Sequence, residues 1–296
     1  MILNYGVAEF GNRDGHGNKY FRSLDIWILP LVNLHFKCPH KSLLSGFNQP
    51  ILIVSDIKYQ EQFKIRSSEI DANQFATLPA ICTLLQEVAG NHAHQLNFDI
   101  TDLQEDKLTW VLHRLNIEME SFPKWREEIT IQTWPSSGDG LRAYRDFIIL
   151  DEHGQKIGHC ISYWLMMNIE TRRPTRIPKN ILAMAPAESE HVLAVDKPDY
   201  SEIEHPDQSA PFKVRKTDLD LNQHVNNMRY IEWALSSLPE GIRVHKLDIQ
   251  FMAESTMGDI DIAEHKQVSA ARGKSTYIHQ IIRESDQEVL ARGQSQ

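Results

Sequence analysis

Apolar and polar residues alternate along much of the chain, and this alternation predicts antiparallel β-strands with one buried face. Ile129 and Ile131 alternate with polar residues, which is the period of a strand that packs on one side. Turn-forming residues cluster at 136–140 and 151–154, between neighbouring segments. The predicted strands fall in two groups of four, near 110–120, 127–134, 141–150, 157–168, 244–251, 260–268, 275–283 and 289–294.

A longer apolar period predicts one helix ahead of each group of strands. The first helix has an apolar stripe over Ile81–Val88, with Pro79 near its start and Gly90 near its end. The second has a stripe over Val225–Leu238 and stops at Pro239. Neither helix is polar all round, so each must pack against something. We therefore predict an α+β fold in which a long helix covers a four-strand antiparallel meander.

The unit of strand, helix and four further strands occurs twice. The segment beginning at Phe63 aligns without gaps to the segment beginning at Phe212. The identical pairs are Phe63/Phe212, Lys64/Lys213, Arg66/Arg215, Asp71/Asp220, Asn73/Asn222 and Gln74/Gln223. Two copies of one supersecondary unit explain this pattern most simply.

These patterns divide the chain into four parts. Residues 1–56 form an N-terminal extension without a regular pattern, and its interrupted apolar stretch is atypical of a secretory signal. A targeting or membrane-surface role is the alternative for this extension. Repeat one covers 57–170 and repeat two covers 211–296. Between them, 171–210 is basic at first, then acidic and rich in proline, as expected of a surface connection.

The most distinctive polar pattern lies in repeat two. In an extended segment residues two apart face the same side, so Asp220, Asn222 and His224 are expected to form one polar face. The N–H groups at the start of the following helix would favour developing negative charge. Repeat one keeps the aspartate and the asparagine but has Phe75 in place of the histidine. The histidine is therefore the candidate for chemistry, and the other two residues are expected to have a structural part in both copies.

Composition narrows the class of protein. The chain has 296 residues and a net charge of -9, which argues against a nucleic-acid binder. Cys38, Cys82 and Cys160 include no CxxC pair, which favours unpaired thiols in a reducing compartment, the cytoplasm, and suggests no zinc site. No apolar run approaches the ~20 residues that a membrane span needs, so stable membrane insertion is not expected.

The stretch DLDLNQHVNN, followed by RYIEWALSSLP, resembles the acyl-acyl carrier protein (acyl-ACP) thioesterases of the plant FatA/FatB type and their bacterial relatives. The resemblance spans about 57–296 and includes SFPKWREEITIQTWPSSGDGLRAYRDFIILD in repeat one and DIQFMAES in repeat two. It implies a tandem double hotdog, two antiparallel sheets each wrapped round a long helix. It also implies hydrolysis of fatty acyl-ACP thioesters to free acid and carrier protein, which terminates fatty acid synthesis, without a metal or other cofactor.

By this resemblance the catalytic residues are Asp220, Asn222, His224 and Glu254. His224 or Glu254 would activate water, and Asn222 with helix N–H groups would hold the carbonyl oxygen. Asp220 would orient its neighbours. Family members often carry cysteine after the glutamate, where this chain has Ser255. This departure weakens a covalent thiolate mechanism, and Ser255 is a candidate nucleophile only with a base beside it.

The resemblance also implies partners. Acyl carrier protein is acidic, so an acidic enzyme needs a local basic surface for docking. The candidates, for which a solvated surface is the alternative, are Lys213, Arg215, Lys216, Arg172, Arg173 and Arg176. The N-terminal hotdog is expected to supply the acyl-chain pocket, and Ile81–Val88 could line it or be ordinary core. Two hotdogs in one chain already supply the usual paired unit, so both a monomer and a homodimer are compatible with the sequence.

Three other functions remain open from the residues alone. A hotdog hydratase or dehydratase would act on acyl thioesters and release no free thiol. An acyl-CoA thioesterase would cleave the same bond in a different carrier. A non-catalytic acyl-binding protein is the third, although the retention of His224 together with Glu254 argues against it. The length and saturation of the acyl chain are not indicated.

Overall fold

The computed structural model describes residues 57–185, 190–198, 200–271 and 274–296. The predicted N-terminal extension, 1–56, and Cys38 within it lie outside the described residues. Cys82 and Cys160 are buried free thiols, as predicted.

The described residues form a large antiparallel sheet and a few helices. The strands are β1 (Tyr59–Lys64), β2 (Leu108–Met119), β3 (Glu128–Gly138), β4 (Arg142–Leu150), β5 (Lys156–Asn168), β6 (Arg173–Thr175), β7 (Gln208–Lys213), β8 (Lys246–Phe251), β9 (Ile260–Ala271), β10 (Lys274–Arg283) and β11 (Val289–Ser295). The helices are α1 (Leu78–Gln95), α2 (Ile100–Gln104), α3 (Lys179–Leu182) and α4 (Asn227–Ser236). All eight predicted strands are confirmed, with ends shifted by a few residues.

The order of the strands differs from the predicted meander. The sheet runs β1-β3-β4-β5-β2-β8-β11-β10-β9-β7, with β6 paired to β5. In each repeat the last three strands are neighbours in chain order, but the first strand after the long helix (β2 or β8) lies beyond the third of them. The prediction of a four-strand meander was therefore wrong for one strand in each repeat. Alternation reports which face of a strand is buried and says nothing about its neighbours.

The two repeats are joined where β2 pairs with β8, from Arg114↔Gln250 to Glu118↔Lys246. Across this junction Arg114 donates Nε and Nη2 to the Asp248 carboxylate at 2.7 and 2.6 Å. Burial opposes the charge on the guanidinium, but the Asp248 carboxylate more than offsets it and raises the pKa of Arg114. A bidentate pair of this kind fixes the register of the two halves as well as adding stability.

Helix α1 begins and ends where its caps and buried face require. The Thr77 hydroxyl accepts the N–H of Ala80 at 3.3 Å, and Pro79 lies in the first turn, as predicted. The predicted end at Gly90 was wrong, because α1 continues to Gln95. A glycine inside a helix costs only about 1 kcal/mol relative to alanine, and the buried face of α1 continues past it.

Helix α4 is shorter than its predicted stripe. Asn226 is its N-cap and accepts the N–H of Met228 at 2.9 Å, so the helix starts at Asn227 rather than at Val225. The apolar faces of α1 and α4 are buried in one core cluster, together with strand residues of both repeats. The tandem double hotdog is thus confirmed: each half of the sheet is packed against its own long helix, and the halves are joined at β2 and β8.

The stretch 171–210 follows the surface of this scaffold and is anchored at several points. It contains β6 and α3, and Ile177 and Ile203 within it are buried. The Val192 N–H donates to Asp146 at 2.8 Å, and the Tyr200 hydroxyl donates to Asp248 at 2.7 Å. None of the helices in the described ranges has the length and apolar character needed to cross a bilayer.

Candidate active site

The segment from Asp220 to His224 is a tight turn, so the predicted extended conformation was wrong. The Asp220 N–H donates to the His224 carbonyl at 2.8 Å. The Asp220 Oδ1 accepts the N–H groups of Asn222 and His224 at 2.8 and 3.3 Å. Gln223 has φ +64°. A carboxylate that accepts N–H groups two and four residues later stabilises a turn, and this preference outweighs the alternation of polar positions.

Backbone contacts bring Glu254, which follows β8, to this turn. The Ser255 carbonyl accepts the N–H of Val225 at 3.0 Å. Arg283 Nη1 donates to the Glu254 carbonyl at 2.8 Å. As a result Glu254 Oε2 lies 3.5 Å from His224 Nε2. The two residues that the sequence separates by thirty positions therefore share one site.

Arg172 is the third residue of the site, and it comes from the connection that follows repeat one. It follows β5, and its guanidinium forms an ion pair with the Glu254 carboxylate. Its Nη2 lies 3.5 Å from His224 Nε2. Sequence reasoning considered Arg172 only as a docking residue and missed this contact, because no local pattern relates it to Glu254.

The environment of His224 favours its neutral form. The side chain is 20% exposed. Burial lowers the pKa of His224, the positive charge of Arg172 lowers it further, and Asp220 acts in the opposite direction. The buried Nδ1 has no hydrogen-bond partner among the residues that the structure describes. At neutral pH the imidazole is therefore uncharged and able to accept a proton.

Ser255 is fully buried, and its hydroxyl and its N–H are both engaged in hydrogen bonds. Its hydroxyl donates to Asp261 Oδ1 at 2.7 Å, and its N–H donates to the Tyr230 hydroxyl oxygen at 3.0 Å. Burial raises the pKa of Asp261 to about 6. The hydroxyl thus points to a buried carboxyl group and has no hydrogen bond to His224.

Most of the N–H groups at the helix start, which were expected to favour developing negative charge, are engaged within the protein. The N–H groups of Val225 and Asn226 donate to the carbonyls of Ser255 and Asp218, at 3.0 and 2.9 Å. That of Met228 is taken by the N-cap. The side-chain amide of Asn222 has no partner in the described part of the chain, so the turn leaves it free to donate.

A cavity of about 550 Å³ lies between the turn and repeat one. Asp220, Asn222 and Asn226 line it from repeat two, and its lining does not include His224, Glu254 or Arg172. Small residues of α1, including Gly90, and aromatic residues such as Trp110 and Trp164 line the rest. The alternative of ordinary core is confirmed for Ile81, Leu84, Leu85 and Val88, which are buried in the core cluster and do not line this cavity.

One group of side chains in the described ranges has the spacing of a metal site. Ligand atoms of His94, Asp99 and Asp102 lie within 4.8 Å of one another. Asp99 is the N-cap of α2 and forms a capping box with Asp102, while His94 Nδ1 lies 2.8 Å from Asp99 Oδ2. Helix capping explains this cluster, which is largely exposed.

Two family models match the chain. The acyl-ACP thioesterase N-terminal domain matches residues 56–185, and the acyl-ACP thioesterase C-terminal domain matches 201–296. The chain belongs to the acyl-ACP thioesterase family. This is the family that the motif in repeat two resembles.

Individual proteins of this family are similar to the chain in sequence or in structure. Oleoyl-acyl carrier protein thioesterase 2 of Arabidopsis thaliana is 36% identical over 219 residues, which are 67% of this chain and 59% of that protein. The chain therefore spans about three fifths of the length of this curated relative. An acyl-ACP thioesterase structure from Bacteroides thetaiotaomicron has a TM-score of 0.74 at 27% identity, over 82% of this chain and 99% of the other. The 12:0-ACP thioesterase of Umbellularia californica, at 21% identity and a TM-score of 0.72 over 81% and 96% of the two chains, shares the fold.

The basic residues predicted to dock the carrier are at the surface of the described chain. Those with exposed side chains are Arg172, Arg173, Arg176, Lys213, Arg215 and Lys216. Arg172 pairs with Glu254, and Arg215 pairs with Asp218 at 2.8 Å. Arg173 and Arg176 form no ion pair with any described residue. Docking of a carrier at this surface stays a prediction.

Proposed function

We propose that the protein hydrolyses fatty acyl-ACP thioesters to free fatty acid and carrier protein. The observation that carries this proposal is the pairing of His224 with Glu254 at 3.5 Å, beside a cavity that Asn222 lines. The family supports the choice of substrate, since its members named above are an oleoyl-acyl carrier protein thioesterase and a 12:0-ACP thioesterase.

The reaction uses water as the nucleophile. Neutral His224 accepts a proton from water as the water oxygen bonds to the thioester carbon. The Asn222 amide donates a hydrogen bond to the carbonyl oxygen, which becomes negatively charged. The intermediate then breaks its carbon–sulfur bond, and protonated His224 returns the proton to the departing thiolate. Water and thioester are thereby converted to carboxylic acid and thiol.

Glu254 and Asp220 act through His224 and Asn222. The Glu254 carboxylate is already engaged by Arg172, so we assign the base role to His224 and give Glu254 the task of orienting the imidazole. Asp220 holds the turn through backbone N–H groups and needs no contact with substrate.

Ser255 has no part in the proposed chemistry. A nucleophile must reach the carbonyl carbon and pass its proton to a base. The Ser255 hydroxyl is fully buried and bonded to Asp261, so a direct attack by water is the simpler route.

The acyl chain occupies the cavity between the turn and repeat one. Its wall is mainly apolar and aromatic on the side of repeat one, which suits a hydrocarbon chain. Repeat one, within the proposed limits 57–170, would therefore bind the chain, and repeat two, 211–296, would carry out the chemistry. The connection 171–210 contributes Arg172 to that chemistry.

The carrier protein docks through exposed basic residues. Arg173 and Arg176 have no ion-pair partner among the described residues, so they are free to bind acidic groups. Charge reversal at these two positions would raise KM for acyl-ACP at low salt and have less effect at high salt. A cytoplasmic location and a monomeric or homodimeric state complete the proposal.

Product analysis with purified protein tests the proposal. Acyl-ACPs of graded chain length should yield equal amounts of free acid and free thiol, and acyl-CoA esters of the same chains should react more slowly. His224→Ala should lower turnover by at least ~100-fold. Loss of the substrate with no free thiol would instead indicate a hydratase or dehydratase. Binding without turnover would indicate an acyl-binding protein.

A further inference from the structure

A buried arginine lies in the wall of the cavity between the turn and repeat one, where the proposed function places the acyl chain. Arg145 on β4 lines the cavity and is only 6% exposed. Arginine is rarely buried to this degree unless a carboxylate neutralises it. An apolar chain gains nothing from a guanidinium at this place, so the residue calls for a physical explanation.

The described neighbours of Arg145 are neutral. Its Nη1 lies 2.9 Å from His92 Nδ1 and 3.3 Å from the Thr133 hydroxyl oxygen. Burial and the charge of Arg145 lower the pKa of His92 to about 3, so the imidazole is uncharged at neutral pH. Burial also lowers the pKa of Arg145 to about 10, which leaves the guanidinium charged at neutral pH.

The carboxylate next to Arg145 on β4 belongs to Asp146, and it has other hydrogen-bond partners. Asp146 follows Arg145 in β4, and successive side chains of a strand face opposite sides. The Asp146 carboxylate accepts the Val192 N–H at 2.8 Å and lies 2.9 Å from His191 Nδ1. No carboxylate in the described part of the chain pairs with Arg145.

Several donors of Arg145 remain free. A guanidinium has five N–H donors, and the contacts to His92 and Thr133 both involve Nη1. Nε and Nη2 have no partner among the described residues. The guanidinium of a residue that lines a cavity is suited to an oxygen acceptor, which can receive two N–H groups at once.

We infer that Arg145 forms a subsite for an oxygen acceptor that the acyl chain carries away from its thioester, such as a hydroxyl or a carboxylate near the far end. The inference rests on the proposed function, because the same cavity extends from Asn222 to Arg145. A chain of the right length therefore has its thioester at the turn and its oxygen at the guanidinium. A methyl-terminated chain of that length leaves the charge without a partner, which is costly in an apolar cavity.

The test compares carrier-bound acyl chains of matched length that end in a methyl, a hydroxyl or a carboxyl group. At the length that reaches Arg145, we expect kcat/KM for the oxygen-bearing chains to exceed that for the methyl-terminated chain by about 10- to 100-fold. Arg145→Met should abolish or reverse this ratio. Arg145→Lys keeps the charge but loses the fork, so it should retain part of the ratio.

Arg142→Met is the matched control, since Arg142 lies on the same strand with an exposed side chain that pairs with Asp139. This variant should leave the ratio unchanged. A purely structural role for Arg145 in supporting His92 would lower the melting temperature of Arg145→Met without changing the ratio. Equal rates for all three chain ends at every length, or a preference that survives in Arg145→Met, would overturn the inference.

A binding measurement separates this inference from the proposed function. Acyl-pantetheine analogues with an amide in place of the thioester cannot be hydrolysed, so calorimetry reports their affinity alone. Tighter binding of the hydroxyl- and carboxyl-terminated analogues to the wild type, but not to Arg145→Met, supports the subsite even if no thioester is cleaved. Hydrolysis of all chains, together with equal affinity for all analogues, supports the proposed function and rejects the subsite.

Discussion

The turns of the two repeats share one backbone and differ in what they present. In repeat one the Asp71 Oδ1 accepts the N–H groups of Asn73 and Phe75 at 2.9 and 3.0 Å. The Asp71 N–H donates to the Phe75 carbonyl at 2.8 Å, and Gln74 has φ +66°. Asp220 makes the same contacts in repeat two. The aspartate therefore builds the turn in both copies, whether or not chemistry takes place there.

The side chains around the two turns differ. The hydrogen bond from Ala76 to Pro123 O at 2.8 Å matches that from Val225 to Ser255 O, so Phe122 lies in the position of Glu254. Arg243 contacts this site from the other repeat: its Cζ lies 4.7 and 5.2 Å from the ring centroids of Phe75 and Phe122. Two phenylalanines and an arginine thus occupy the places of His224, Glu254 and Arg172.

The largest effect should come from making the second turn resemble the first. His224→Phe introduces the residue that repeat one has at this place, so the fold should be retained. Turnover should fall by about 10²- to 10⁴-fold, because the proton acceptor is lost. Thiol release from acyl-ACP measures the change. Phe75→His in repeat one is the control and should leave turnover unaffected; near-normal turnover by His224→Phe would remove His224 from the mechanism.

Substitutions of Asp71 and Asp220 separate an effect on stability from an effect on activity. Asp71→Ala and Asp220→Ala each lose hydrogen bonds from backbone N–H groups to a carboxylate, so each should lower the free energy of unfolding by ~1.5–3 kcal/mol. Asp220→Ala should also slow turnover by about 10- to 100-fold, since Asn222 and His224 would be misplaced. Denaturant unfolding and steady-state kinetics report the two effects. Equal losses of activity in both variants would show that the turns are not specialised.

Arg172 and Arg243 allow the two turns to be compared through the pH dependence of activity. Burial and the charge of Arg172 lower the pKa of His224, and the base must be neutral to act. Activity should therefore be lost only as the pH falls below the ordinary range of histidine. Arg172→Gln removes one of these two causes and raises the pKa, so the acid limb of the pH–rate profile should move to higher pH.

Arg243→Gln is the matched control for this shift, because Arg243 contacts the turn of repeat one at Asp71. It should leave the acid limb in place. An acid limb that is the same in Arg172→Gln and the wild type would mean that His224 is not the group whose titration limits the rate.

The smallest effect is expected from substitution of Gly90, which lines the cavity from repeat one. A Cβ added at Gly90 meets no atom within 4 Å, and Gly90 lies inside α1. Gly90→Ala should therefore stabilise the protein by ~0.5–1 kcal/mol and shorten the preferred acyl chain slightly. Thermal unfolding and the chain-length profile measure these changes. A destabilised Gly90→Ala would show that the helix needs the glycine for a close contact.

Local patterns were sufficient to locate the elements, and they single out His224 as the candidate base. The period of alternation depends on the dihedral angles and on which face is buried, so it located eight of the eleven strands in the described residues and both long helices. The internal repeat distinguished His224 from Phe75 because aligned positions can be compared directly. The free thiols of Cys82 and Cys160 also followed from their spacing. Each of these inferences uses residues within one element or one aligned pair.

Only the tertiary structure decided how the site is assembled. The polar alternation at Asp220 predicts an extended segment, but backbone N–H groups donate to the Asp220 carboxylate and close a turn. The place of β2 beside β8 and the approach of Arg172 to Glu254 join residues that are distant in the chain. The contact of Ser255 with Asp261 joins the loop after β8 to β9. Such contacts follow from the order in which strands pair, and a single sequence carries no local signal for that order.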